Sequence, residues 1–145
     1  MIHFLPTLVK LAVGKKLFCG KTGLWERGMV MDYPKKGQRW VEHDRALPQP
    51  AGDGVVRRVL AYTDGLMCVE NRFEQGAVGR LHSHPHTQIT YVCQGVFSFT
   101  IDGETRIVRA GDTLLKEDGV EHGCTCLEAG VLLDLFTPMR EDFLS

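Results

Sequence analysis

Residues 76–95 read GAVGRLHSHPHTQITYVCQG, a run of β-strand-like sequence that carries closely spaced histidines. His82 and His84 are two residues apart, so both side chains point to the same face of an extended strand. Gln88 follows four residues after His84, and a glycine stands at each end of the stretch. If that face is the interior of a barrel, the two imidazoles and the amide are placed to chelate one ion.

A second stretch, residues 111–126, supplies one more imidazole. It reads GDTLLKEDGVEHGCTC, and its histidine, His122, follows a glycine turn. A lone His-x-His pair is weak evidence because histidines pair by chance, but the whole set with its flanking glycines is specific. The sequence therefore predicts one metal site held by His82, His84, Gln88 and His122.

From about residue 55 onward, short β-branched or aromatic runs alternate with glycine turns, which is typical of an all-β domain. No segment shows a sustained apolar period of 3.6 residues, so we expect few and short helices. Asp102-Gly103 predicts a tight hairpin turn with positive φ at both residues, and Asp64-Gly65 repeats the signal. Many short strands at regular spacing predict a β-sandwich or a small barrel. The predicted strands are VVRRVLAY, LMCVENRF, RLHSH, QITYVCQ, VFSFTI, ETRIVRA, DTLLKE, HGCTCLE and VLLDLF.

The first 50 residues have a different character. They carry many basic residues and scattered glycines, and the prolines and glycines of LPQPAGDG mark the loop into the barrel. We predict an N-terminal arm over residues 1–50 that is either partly disordered or packed on the barrel or a partner subunit. The barrel domain is predicted over residues 51–145.

Bulk properties exclude some partners. A net charge of −1 gives no reason to expect nucleic acid or an anionic membrane as partner. Five cysteines, an odd number without a disulfide-like framework, indicate a reducing compartment. The N-terminal segment lacks the basic leading residues and cleavage site of a signal peptide, and no segment reaches transmembrane length. We expect a cytoplasmic protein.

The two histidine stretches resemble the motifs of the cupin superfamily. The first motif keeps every family spacing, with glutamine in place of the usual acidic residue, at Gly76, His82, His84, Gln88 and Gly95. The second motif keeps its glycines and histidine, at Gly111, Gly119 and His122, while Glu117 and Cys126 replace the usual proline and asparagine. The resemblance runs from about Val55 to the C-terminus. It implies a small antiparallel double-stranded β-helix, a cupin or jelly-roll barrel, with a divalent metal at its centre.

The glutamine has a chemical consequence. Imidazoles suit zinc, nickel, copper, iron and manganese, so the ligand types do not name the divalent ion. Because the amide of Gln88 is neutral, the ion keeps its full charge and is a stronger Lewis acid and a better anchor for an anionic ligand. Iron–dioxygen chemistry commonly uses a carboxylate in the set, so it is less expected here. The alternative is an inherited metal site that is empty or purely structural.

A second cluster lies in residues 131–144, VLLDLFTPMREDFL. Asp134 interrupts an apolar strand, and burying a carboxylate is costly unless it is paired or hydrogen-bonded. Phe136 shares its face by strand parity, and Arg140 follows the Thr-Pro that ends the strand, so it can curl over the barrel mouth. The residues alone leave two readings open, an acid–base and anion-binding set or a structural Asp134–Arg140 ion pair.

Together the two clusters resemble the small single-domain cupins of the pectin-degradation, KdgF type. This resemblance implies a metal-dependent enzyme that opens 4,5-unsaturated uronate monosaccharides, from pectin or alginate, to the linear ketone. It implies that three histidines and Gln88 hold the metal. It also implies that Asp134 is the general acid or base, that Phe136 packs against the sugar and that Arg140 binds the substrate carboxylate. The expected partner is a small anionic sugar.

Two other classes of function stay open. One is a different cupin enzyme, such as an isomerase or a dioxygenase acting on another small acid, and the other is a non-catalytic sugar or small-acid binding module. We also expect a homodimer, because small cupins often pair through an outer sheet and the residues of VFSFTI and ITYV would suit that interface.

The neighbours of the motifs are ambiguous. Arg80 has the strand parity of His82, so it is either a second carboxylate-binding residue or a surface arginine, and Lys116 has no assigned role. His86 is expected at the rim of the site. Cys124 and Cys126 are either soft metal ligands or, in the reading we favour, small core residues.

Overall fold

The computed structural model describes residues 30–145. The first 29 residues of the predicted arm lie outside the described residues. Within the described part of the arm, Asp32 forms an isolated β-bridge with Ala46. The division of the chain at residue 50 stays a prediction.

Residues 30–145 form an antiparallel β-structure whose helical segments are two 3-10 turns, His43–Arg45 and Glu141–Phe143. The predicted all-β fold class is thereby confirmed, and the helices are few and short as expected. The strands are β1 (Pro48–Pro50), β2 (Val55–Tyr62), β3 (Met67–Phe73), β4 (Val78–His82), β5 (Thr87–Ile101), β6 (Glu104–Arg109), β7 (Thr113–Lys116) and β8 (His122–Thr137).

Two long strands, β5 and β8, organise the barrel. The sequence predicted each of them as two separate strands, QITYVCQ with VFSFTI and HGCTCLE with VLLDLF, but each pair is continuous. They run antiparallel from the pair Thr87–Thr137 to the pair Ile101–His122. The first half of β5 also pairs with β7 and its second half with β6, while β8 pairs with β4 and then β3. Each long strand therefore pairs with a different neighbouring strand along each of its halves.

Two glycines allow β5 and β8 to bend where they cross. Their register shifts between Val92 and Phe97. Gly95 has a φ of +88°, and a Cβ there would lie 2.6 Å from the carbonyl oxygen of Glu128. A Cβ at Gly130 would overlap the carbonyl oxygen of Gln94. The backbones approach so closely at this point that a side chain on either glycine would push them apart.

The two predicted hairpin turns differ in backbone geometry. Asp102 and Gly103 have φ values of +49° and +76°, so the predicted turn with two positive φ angles is confirmed. Between β2 and β3, the N–H of Thr63 donates to the carbonyl of Leu66 at 2.7 Å, which closes the hairpin. Asp64 and Gly65 do not adopt positive φ, so this turn is of another type.

The interior contains two apolar clusters. Along β8, Leu132 belongs to the first cluster and Phe136 to the second, and Asp134 lies between them. Polar side chains therefore occupy the middle of the barrel. The first cluster is Val92, Phe97, Phe99, Val108, Cys124, Cys126 and Leu132. The second is Val59, Met67, Val69, Phe136 and Phe143.

One expectation about the outer surface is corrected. Phe97 and Phe99 of VFSFTI were expected at a dimer interface, but both are buried in the first cluster because their strand parity directs them inward. Ile89 and Tyr91 of ITYV are 39% and 45% exposed, so of these two stretches ITYV is the one with exposed large apolar side chains. In the described part of the chain, no helix has the length and apolar character to cross a membrane.

Candidate functional site

The three predicted histidine ligands come together at the mouth of the barrel. His82 ends β4 and pairs in register with His122, which begins β8, while His84 lies two residues beyond β4. One ring nitrogen from each histidine lies within 4.8 Å of the others, a spacing that a metal ion can bridge. His82 is exposed, His84 is half-buried and His122 is buried. The set is compatible with a divalent metal.

Hydrogen bonds determine which nitrogen of each ring is free. His82 Nδ1 lies 2.7 Å from the carbonyl oxygen of Arg80, and His122 Nδ1 lies 2.8 Å from that of Val120. A carbonyl only accepts, so both Nδ1 atoms carry the proton and both Nε2 atoms keep a free lone pair. The Nε2 of His122 is buried without a hydrogen-bond partner among residues 30–145. An orphaned buried acceptor of this kind fits a metal ligand.

Gln88 lies beside the three histidines, as predicted for a fourth ligand. Its side chain is 5% exposed, and its Oε1 lies 3.1 Å from His84 Nε2. Its Nε2 donates to Thr90 Oγ1 at 3.2 Å, which turns the amide oxygen toward the histidines. Two ligand atoms about 2.1 Å from one ion and at right angles to each other lie about 3 Å apart. The His84–Gln88 distance therefore suits two ligands of the same ion.

Burial favours the neutral form of the His122 and His84 imidazoles. It lowers the pKa of His122 to about 4, and it also lowers the pKa of His84, with the nearby Arg140 charge acting in the same direction. Neutral imidazole is the form that binds metals. The site is therefore ready to take an ion at neutral pH without releasing protons from these two rings.

Asp134 is held in a polar network behind the predicted ligands. It is buried, and its Oδ2 accepts a hydrogen bond from Asn71 Nδ2 at 2.7 Å. Its Oδ1 accepts a short hydrogen bond from the Thr90 hydroxyl, which in turn accepts from the ammonium of Lys116. The same hydroxyl accepts from Gln88, so one chain of hydrogen bonds joins the predicted ligands to Asp134.

The structure also decides the open question about Arg140. Its Nε and Nη2 donate to the two carboxylate oxygens of Asp142 at 2.9 and 2.7 Å. The alternative reading, a structural Asp134–Arg140 ion pair, is therefore wrong. The Arg140 Cζ lies 5.4 Å from the centroid of the Phe136 ring, and Phe136 packs 5.7 Å from the ring of His84.

A cavity of about 730 Å³ connects the two clusters. Its walls thus combine predicted metal ligands with the predicted acid–base and anion-binding residues. Residues from both groups that line it are His82, Gln88, His122, Asp134, Phe136 and Arg140. The structure therefore brings together all seven side chains that the sequence predicted, with His84 at the edge of this group through its contacts with Gln88 and Phe136.

Lys116, to which the sequence assigned no role, is buried beside the site. Its side chain is 0% exposed, its ammonium donates to Thr90 and it lies 4.9 Å from the centroid of the Phe99 ring. Burial lowers its pKa to about 8, against the raising effect of the Asp134 charge. Its parity with the inward-facing Leu114 was the sequence signal for this position.

Sequence reasoning missed two further polar residues. Arg57 and Asn71 pair in register on β2 and β3, and both line the cavity. The available signal was again parity, because Arg57 lies between Val55 and Val59, whose side chains face the core.

The structure shows where the other residues beside the two histidine motifs lie. Arg80 is exposed and borders the cavity. The His86 ring lies 5.4 Å from that of His84, outside the group of three converging histidines. Cys126 lies in the core, and burial raises the pKa of the Cys124 thiol to about 12, which disfavours the thiolate that binds metals.

Comparison with known proteins agrees with the fold. A sequence profile of the cupin domain matches residues 69–136. The pectin degradation protein KdgF of Dickeya dadantii (strain 3937) is 40% identical over 109 residues, which make up 74% of this chain and 99% of that protein. The crystal structure of an RmlC-like cupin from Shewanella frigidimarina has a TM-score of 0.72 at 34% identity and covers 74% of this chain and 97% of its own.

A further similar structure is that of KdgF from Halomonas sp. It has a TM-score of 0.70 at 36% identity, and the match covers 74% of this chain and 99% of that one. Because this chain covers almost the whole of a relative that is 40% identical to it, the chain belongs to the cupin family, among the small single-domain cupins related to KdgF.

Proposed function

We propose that this protein is a metal-dependent enzyme that opens 4,5-unsaturated uronate monosaccharides, released from pectin or alginate, to the linear ketone. The observation that carries the proposal is that the carboxylate of Asp134 lines the same cavity as His82, Gln88 and His122. The similarity to the pectin degradation protein KdgF of Dickeya dadantii supports this class of substrate.

The residues that would hold the divalent ion are His82, His84, Gln88 and His122, and the orphaned Nε2 of His122 fits that use. When bound, the ion supplies Lewis-acid stabilisation of negative charge on the sugar oxygens. The neutral Gln88 amide adds no negative charge to this ligand set. Zinc, nickel, iron and manganese are all consistent with these ligands.

The reaction is an isomerisation. In the substrate, the C4–C5 double bond forms an enol ether with the ring oxygen. As the C1–O bond of the ring breaks, its electron pair moves to that oxygen, and the anomeric hydroxyl loses its proton to become the aldehyde. The resulting enolate then gains a proton at C4 and becomes the ketone. No electrons are lost or gained, and one proton moves from the hydroxyl to C4.

Asp134 is the residue placed to move that proton. Each of its oxygens accepts one hydrogen bond, from Thr90 or from Asn71. A carboxylate oxygen has two lone pairs, so each oxygen keeps one for the substrate. Phe136 and Arg140 line the same cavity, where they supply an apolar wall and positive charge.

The proposal is tested by following the ultraviolet absorbance of the conjugated double bond in unsaturated uronates, with NMR to identify the ketone. We expect the metal-loaded protein to remove the absorbance, a chelator to stop it and added metal to restore it. A dependence on dissolved oxygen would indicate an oxygenase. Binding of the sugar, seen as a thermal shift, without loss of absorbance would indicate a binding module. Either result would contradict the proposal.

The cytoplasmic location and the homodimer remain predictions. The described cysteines, Cys68, Cys93, Cys124 and Cys126, are free thiols, as a reducing cytoplasm requires. The homodimer is checked by sedimentation of the purified protein.

A further inference from the structure

We propose that Arg57, rather than Arg140, holds the substrate carboxylate and thereby makes the cavity select a uronate over a neutral sugar. This inference rests on the function proposed above. It concerns a residue that the sequence patterns did not single out, and it reassigns the role expected for Arg140.

The position of Arg57 directs its side chain into the barrel. On β2 it lies between Val55 and Val59, both buried, and it pairs in register with Asn71, the donor to Asp134. Arg57 and Asp134 line the same cavity. A carboxylate bound by Arg57 would therefore belong to a molecule that also reaches Asp134.

The guanidinium of Arg57 is oriented by an aromatic ring and forms no close ion pair among residues 30–145, and the Asp142 and Asp134 carboxylates act on its charge only through space. Its Cζ lies 3.7 Å from the centroid of the Phe143 ring, and its Nε is buried without a hydrogen-bond partner among residues 30–145. Glu70, on the next strand, is engaged on the outer face by Arg58 and Arg72. A buried donor without a partner is costly, and a substrate carboxylate would remove that cost.

Arg140 is engaged differently. Two of its nitrogens already donate to Asp142, and its Cζ also stacks on Phe143, at 4.3 Å. Its positive charge is thus balanced within the chain. It would have to break that two-pronged pair to present its fork to a ligand, whereas Arg57 needs no such exchange.

Arg80 is the remaining cavity-lining arginine that needs comparison. It is exposed, whereas Arg57 is half-buried and backed by an aromatic ring. Charge-assisted hydrogen bonds are stronger where water is excluded, and an exposed ion pair contributes little. The geometry therefore favours Arg57 for carboxylate recognition.

The test compares two ligands of nearly the same shape, one with a charged carboxylate and one with a neutral amide. Binding of galacturonate and of galacturonamide is measured by calorimetry on the metal-loaded full chain. We expect the wild type to prefer the acid by about 10- to 100-fold, the range for a charge-assisted hydrogen bond. Arg57→Met should abolish that preference. Arg57→Gln, whose side chain is polar but uncharged, is a second variant. Arg58→Met, on the outer face of the same strand, is the matched control and should keep the preference.

Arg140→Met and Arg80→Met are measured in parallel. The inference is overturned if either of them loses the preference while a folded Arg57 variant keeps it. It is also overturned if the wild type binds both ligands equally or binds neither. If the wild type shows the Arg57-dependent preference but does not consume unsaturated uronates, the proposed function fails and the inference about Arg57 stands.

Discussion

Asp134 lies in the middle of an interior strand, where an uncompensated carboxylate would oppose folding. Asn71 and Thr90 both donate hydrogen bonds to it, and Lys116 places a positive charge one hydroxyl away. The side chain is therefore held in one orientation, with its free lone pairs directed to the cavity. Such fixed positioning is what proton transfer to and from a bound sugar requires.

The substitution Asp134→Asn tests this role. The amide is nearly isosteric but cannot take a proton, so we expect turnover to fall by about 10²- to 10⁴-fold, the usual contribution of general acid–base catalysis. Metal content, measured by atomic emission, should not change. Asp118→Asn, in an exposed turn, is the control and should keep full activity. Full activity of Asp134→Asn would refute the assignment.

Lys116 predicts an unusual dependence of stability on pH. Its pKa lies at about 8 in the folded protein against 10.5 in the unfolded chain. Below pH 8 the ammonium is charged in both states and its burial penalty is complete. Between about pH 8 and 10.5 the folded state binds fewer protons, so stability rises with pH. Relative to Lys116→Met, we expect the wild type to gain about 2–3 kcal/mol in free energy of unfolding between pH 7 and pH 10.

Urea unfolding of both proteins at the two pH values measures this gain. Lys36→Met is the control for the sign of the pH dependence. Lys36 is exposed and its hydrogen bond with Asp64 raises its pKa, so the contribution of Lys36 should fall as pH rises. If the difference in free energy of unfolding between the wild type and Lys116→Met does not change with pH, the Lys116 ammonium is not buried as described.

At the scale of elements, the continuous strands β5 and β8 determine where the site forms. The paired strands bring Gln88 opposite both Lys116 and Phe136, on β7 and β8. The positions of these three side chains therefore all depend on the register of β5 with its two neighbouring strands. A shift of one residue would turn every one of these side chains to the outer face.

The crossing of β5 and β8 should tolerate no side chain at residue 130. In Gly130→Ala, the new Cβ would overlap the carbonyl of Gln94 and crowd the ring of Phe97. Since the contacts are backbone and packed core, we expect a loss of about 1–3 kcal/mol or more. Thermal and urea unfolding measure the loss. Gly65→Ala, where no atom lies within 4 Å and φ is not positive, should be neutral or slightly stabilising. Equal stability of the two variants would contradict the close crossing.

At the scale of the whole molecule, the site joins elements distant in sequence, so metal binding should stabilise the complete fold. An ion at one hundred times its dissociation constant adds about 2.7 kcal/mol. We expect Tm to rise with a divalent metal and to fall after chelation. His122→Ala should lose the response, because the three histidines would hold the ion together. Gradual addition of zinc, nickel, iron and manganese in turn would rank the ions. An unchanged Tm with every ion would argue against the centre.

Many of the candidate site residues could be identified from short-range patterns in the sequence. The spacing of His82, His84 and Gln88 is a short-range pattern, and the alternation of side chains along a strand converts it directly into a shared face. The same alternation identified Asp134 and Phe136 as neighbours. The cupin fold and its candidate ligands could therefore be predicted, since both depend on residues within one strand or on a family motif.

Contacts between strands could not be predicted in this way. That Arg57 faces the same cavity as Asp134 depends on the register of β2 with β3 and of β3 with β8. Arg140 pairs with Asp142, two residues along the chain, but the sequence spacing does not show that this pair forms in place of one with Asp134. The burial of Lys116 likewise depends on packing around Thr90. Sequence alone determined which chemical groups are present and which of them share a strand face, because that periodicity is local. Tertiary structure decided which charges are compensated and which remain free for a ligand, because electrostatic pairing and desolvation depend on distances across the barrel.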